Sequence, residues 1–106
     1  MQIDGSLDIK IIQGDSYRRE ITVEGISIDL IEGVYFSSAE LGVCKKCFKS
    51  DNMFILEFNG EETKNYKCVN TSYDLTIKLS GNNVKTICYN ASLIILKKEN
   101  MVTCYE

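Results

Sequence analysis

The chain has 106 residues and contains no histidine and no proline. Without histidine it lacks the side chain most used for proton transfer near neutral pH, which is also the commonest metal ligand. That counts against an enzyme before any motif is considered. No apolar run approaches the roughly 20 residues that a membrane-spanning helix needs. The start, Met1-Gln2-Ile3-Asp4-Gly5, has neither the charged opening nor the apolar core of a signal peptide. The expectation is a chain made and kept soluble in a cytoplasm, with no membrane partner. Long basic runs are missing too. Lys45-Lys46 and Lys97-Lys98 are only pairs in a chain of net charge -3, so there is no electrostatic footprint for a nucleic-acid backbone.

What is present suits one ordinary core. A length of 106 residues with 44% apolar and 25% charged side chains closes a single domain and is too short for two. The expected unit is one β-sandwich over 1–106 with short N- and C-terminal arms. Its clearest strand is Tyr73-Asp74-Leu75-Thr76-Ile77-Lys78-Leu79. Tyr73, Leu75, Ile77 and Leu79 share one face, and Asp74, Thr76 and Lys78 the other. A slip of one residue would bury Asp74 and Lys78, so the register of this strand is strongly specified.

Alternation and turn residues divide the rest. Leu7 to Ile12 and Arg18 to Val23 read as strands around a Gln13-Gly14-Asp15-Ser16 turn, with Ile21 and Val23 inward. Ile26-Ser27-Ile28-Asp29-Leu30 alternates briefly and reads as an edge strand or strand extension. It has no proline and only one charge to keep neighbours off, so Ile26, Ile28 and Leu30 are candidate contact residues. Val34 to Glu40 is a further strand, and Val43 to Asn52 reads as a strand end running into a hairpin loop. Met53 to Phe58 is almost continuously apolar, as for a strand covered on both faces. Asn59 and Glu62 form a helix-start pair, predicting one short helical turn over Gly60 to Tyr66. A Ser80-Gly81-Asn82-Asn83 turn leads to Val84–Tyr89, and Ser92 to Leu96 reads as a separate last strand. About seven strands at spacings of roughly ten residues predict an all-β sandwich or small barrel. Phe54, Leu56 and Ile95 join the expected core.

Few constellations carry chemistry. Cys44-Lys45-Lys46-Cys47 has a spacing that suits a zinc knuckle or a redox pair. With no histidine, the other zinc ligands would come from the isolated Cys68, Cys88 and Cys104, so plain reduced thiols are the first reading. Asn70-Thr71-Ser72 and Asn90-Ala91-Ser92 match a glycosylation pattern that matters only in secreted proteins, and both read as turn residues. Glu61-Glu62 and Asp15 are accounted for by helix-start and turn chemistry. Arg18 and Arg19 fall on opposite faces of a strand. No catalytic residue and no cofactor is expected.

Gly14-Asp15-Ser16 before Ile21-Thr22-Val23, then Ile28-Asp29-Leu30, and later Glu62-Thr63 before Tyr73-Asp74-Leu75-Thr76-Ile77 occur in that order. With Val84-Lys85-Thr86 and Leu93-Ile94-Ile95 following, the chain resembles small immunoglobulin-like modules of tailed-bacteriophage tail and baseplate proteins. The resemblance covers about residues 9 to 98. It implies an immunoglobulin-like antiparallel β-sandwich in a virion structural protein, made in a bacterial host and assembling with other virion proteins and copies of itself. The Cys44-Lys45-Lys46-Cys47 stretch and the lack of a following receptor-binding domain depart from that pattern. A capsid decoration protein or a free phage-encoded inhibitor of a host protein is the alternative. On this reading Met1 to Ser6 and Met101 to Glu106 are arms that add backbone to a neighbour's sheet, with Met101, Val102 and Tyr105 as candidate contacts.

Overall fold

The computed structural model describes residues 8–98. The strand built on Tyr73, Leu75 and Ile77 lies in the middle of the larger of two sheets, with strands on both sides. That sheet comprises β1 (Ile9–Ile12), β3 (Ile31–Ser38), β4 (Val43–Lys46), β7 (Val69–Leu79) and β8 (Asn83–Leu96), in the order β1-β8-β7-β3-β4. The smaller sheet has β2 (Tyr17–Ile21), β5 (Phe48–Ser50) and β6 (Met53–Phe58), in the order β2-β6-β5. β1 runs parallel to β8, and every other pairing is antiparallel.

The inward faces of the two sheets form one core. Tyr73, Leu75 and Ile77 meet Phe36 and Val34 of β3, and Ile21, Phe54, Leu56 and Phe58 close over them from the smaller sheet. Phe36 stacks on Tyr73 and meets Phe58 edge-on, each at 5.2 Å between ring centroids. These offset and edge-on geometries suit the ring quadrupoles. Full burial of each such side chain contributes about 1.5–3 kcal/mol. Leu79 and Val23, expected in the core, pack at its margin and are only partly buried.

The short helix forms where its cap signature stands. In α1 (Gly60–Lys64) the Asn59 side chain accepts from the Glu62 N–H at 2.8 Å, and Glu62 accepts from the Asn59 N–H at 3.1 Å. Thr63 is fully buried; its hydroxyl donates to the Asp15 carbonyl at 2.8 Å and accepts from the Gly14 N–H at 3.0 Å. The helix thereby docks on the turn between β1 and β2. Contact is so close that a Cβ on Gly60 would lie 2.7 Å from the Gly14 carbonyl oxygen.

Three expectations are corrected. Ile26 to Leu30 is no edge strand: after Gly25, whose φ is +85°, Ile28–Leu30 forms a 3-10 turn in which the Leu30 N–H donates to the Ser27 carbonyl. Alternation over five residues did not outweigh a local turn that lets Ile26 and Ile28 pack against the core. Val43 to Asn52 is not a strand end and a loop but two strands in different sheets, β4 and β5, with the chain crossing at Cys47. Ser92 to Leu96 is not a separate strand. It continues β8 through Asn90, whose positive φ of 56° makes a bulge where a break was expected. The described residues therefore hold eight strands.

Two measurements follow. Leu75→Ala should lower unfolding free energy in a denaturant titration by about 2–5 kcal/mol through lost burial and a cavity. Lys78→Ala, which removes only an exposed 3.6 Å pair with Glu32, should change it by about 0.5 kcal/mol or less. The second concerns Glu62. Burial pushes its carboxyl up, but the Lys45 ammonium and the Asn59 amide outweigh that and hold it below its ordinary value. A depressed carboxylate stabilises the fold above its unfolded value of about 4.3, and that contribution disappears as pH falls through the lower folded value. Glu62→Gln keeps the cap but not the ion pair. It should be less stable than the native chain by about 0.5–1 kcal/mol at pH 7, with the gap closing only below about pH 4.

Candidate interaction surface

The sequence candidates do not gather at one place. Ile26 and Ile28 are partly buried against the core, and Leu30 alone of the three is exposed, at 53%. Met101, Val102 and Tyr105, with both arms, lie outside the described residues. Cys44 points outward from β4 and is exposed, whereas Cys47 is buried at the crossing between sheets. The two thiols of the Cys44-x-x-Cys47 pattern thus do not share an environment. Burial pushes the Cys47 thiol up to about 12, offset only in part by the Lys45 ammonium. Among the described residues no group of three or more His, Cys, Asp or Glu side chains is placed to hold a metal ion. Lys45 is engaged elsewhere: its ammonium bonds the Glu62 carboxylate and lies 4.8 Å from the centroid of the Phe58 ring.

A surface that sequence reasoning missed lies on the outward side of the larger sheet. Cys44, Ser37 and Asp74 are cross-strand neighbours on β4, β3 and β7, on the opposite face from Phe36 and Leu75. Together with Ser72, Tyr89 and Asn90 they line an open groove of about 420 Å³. Tyr89 is 80% exposed.

The exposure of Tyr89 has a structural cause. Tyr73 pairs with Ala91, Leu75 with Cys88 and Thr76 with Thr86, so β8 twice uses one residue more than β7. Such bulges bend a strand and re-aim its side chains. Asn90 takes the left-handed conformation, which costs most residues about 1–2 kcal/mol and asparagine less. The Asp74 carboxylate holds it there, accepting from the Asn90 N–H at 2.7 Å. A lone asparagine inside an apolar alternation was the available signal, and it read as a chain break.

The same strand has an open side. β1 pairs with β8 only over Leu93–Leu96, and among the described residues no strand lies against the outer edge of 83–91. Val84, at 62% exposure, stands on this edge. A free backbone edge, an exposed aromatic and a groove of mixed polarity are features common in protein-contact surfaces.

The placement of the thiols gives a direct check. In the native protein an alkylating reagent should modify Cys44 and Cys68 first, and Cys47 and Cys88 only after unfolding, as read by peptide mass spectrometry. Rapid native modification of Cys47 would contradict the buried crossing. Comparisons of the chain with protein-family models, curated proteins and solved structures find no match.

Proposed function

We propose that the protein is a structural module of a bacteriophage or phage-like particle, a tail or baseplate component that acts through protein–protein contact and carries no catalysis. The observation that carries the contact reading is the surface around Tyr89: two bulges and a held left-handed asparagine present an aromatic beside an open strand edge. The phage reading rests on the ordered sequence pieces from Gly14-Asp15-Ser16 to Leu93-Ile94-Ile95. The strand order supports its immunoglobulin-like part. β2, β6 and β5 form one sheet and β3, β7 and β8 the centre of the other, with β4 added beside β3. Variable-type immunoglobulin sandwiches have this arrangement, while fold alone does not fix function. The partners are other virion proteins and further copies of this chain.

Mass spectrometry of purified particles tests the reading, with a stoichiometric presence of the chain as the expected result. Absence from particles would instead favour a free binding module. Tyr89→Ala, on an exposed site, should shift unfolding free energy by about 0.5 kcal/mol or less while reducing incorporation into particles. Undiminished incorporation would remove the Tyr89 surface from the assembly contact.

A further inference from the structure

A second recess lies at the place where the chain changes sheets. β3 pairs with β7 from Ile31 to Ser37, but with β4 only from Tyr35 to Ser38. At Cys47, whose N–H donates to the Val34 carbonyl at 2.8 Å, the chain turns away into β5 of the other sheet. The β3 edge at Ile31–Gly33 is therefore left without a strand on that side among the described residues. Behind it is a recess of about 330 Å³ with buried Ile31, Cys47 and Phe54 at its base and Phe48, 49% exposed, on its wall. That volume is at the small end for ligand sites and suits one bulky side chain better than a cofactor. Gly33 lets the Tyr35 ring and the Lys46 side chain pack over the β3 backbone at this edge, since a Cβ there would meet them at 3.0 and 3.2 Å.

The rim is charged on one side of the balance. Glu32 is compensated from outside the recess by Lys78, at 3.6 Å. Lys46 lies 5.9 Å from the Tyr35 ring centroid, and among the described residues neither it nor Lys49 has an ion-pair partner. We propose that this notch takes an extended acidic segment of a partner protein, which adds backbone hydrogen bonds to the β3 edge and seats one aromatic or large aliphatic side chain against Phe48 and Phe54. The carboxylates of the segment face Lys46 and Lys49. Strand addition supplies affinity through the main chain, and the pocket and the charges supply selectivity. A second copy of this chain is a poor occupant. Its sheet-edge strands β1, β2, β4 and β5 carry Lys10, Arg18, Arg19, Lys45, Lys46 and Lys49 against the single acid Glu20, and Lys85 stands on the open part of β8. The proposal rests on the contact reading above only in expecting a protein partner.

The test is an NMR titration of the isotopically labelled full chain with the blocked peptide Ser-Asp-Phe-Glu-Ser. Two control peptides carry Ala in place of Phe, or Lys in place of both acids. Saturable shifts should appear at the amides of residues 31–33 and 46–49, with each control binding at least tenfold more weakly. The double variant Lys46→Glu, Lys49→Glu, with an otherwise native spectrum, should lose the acidic peptide and gain the lysine one. No saturable shift, equal binding of all three peptides, or shifts confined to the β8 edge would overturn the proposal. So would self-association of the native chain that the double variant abolishes, since a second copy would then be the occupant. The titration does not depend on particle composition, so its failure and a failure of the phage reading are separable.

Discussion

The Thr63 hydroxyl joins two of the segments that pass between the sheets at one end of the core. The turn at 13–16 is one crossing from the larger sheet to the smaller, and the segment at 59–66 is one of the crossings in the other direction. Thr63 bonds the first crossing from within the second, donating to Asp15 and accepting from Gly14. Gln13 adds a 2.6 Å bond from its side chain to the Tyr66 carbonyl, and its own N–H donates to Leu96 of β8 at 2.9 Å. Both crossings are thus clamped at one end of the sandwich, where burial makes unsatisfied backbone groups costly. The missing Cβ of Gly60 is the steric condition for that approach.

From that fixed end the sheets diverge in extent. Five strands cannot be covered by three, and the uncovered part falls on the first half of β8. Lys85 pairs with Ile77 and so points to the inner side of the sheet, yet Ile77 is fully buried while Lys85 is exposed. An inward lysine is tolerated because no second layer lies beneath it. It also discourages chance edge pairing, as do the two bulges. The open part of β8 is therefore guarded against indiscriminate strand addition while still presenting Tyr89.

Much of this was legible where the deciding forces are local. The face of β7 follows from its alternation, α1 from the Asn59 and Glu62 pair, and the β7–β8 hairpin from Gly81 and Asn82, both of which take positive φ. What was not legible depends on distant partners. Nothing within Val43 to Asn52 states that Cys47 is buried between two sheets, because the residues that bury it lie on other strands. Ile26 to Leu30 alternates as a strand would, but Ile26 and Ile28 pack against core residues contributed by other strands, and the segment closes into a 3-10 turn instead. Asn90 is a bulge rather than a break because Asp74, sixteen residues earlier, supplies an acceptor for its N–H.

The strand change at Cys47 ties the buried core to the exposed surface. Had β4 continued along β3 it would have covered Ile31–Gly33, and the recess beside Phe48 would have closed. By leaving early it places Cys47 in the core and completes the smaller sheet with β5, a strand of three residues paired on one side only. Phe48 stays half-exposed because the sheet ends there. The crossing that puts an apolar thiol inside is thus what leaves an apolar ring outside, and removing the exposed ring by lengthening β4 would also remove the buried anchor. An exposed phenylalanine at this place follows from the topology, and beside it stand Lys46 and Lys49, two lysines without an ion-pair partner among the described residues.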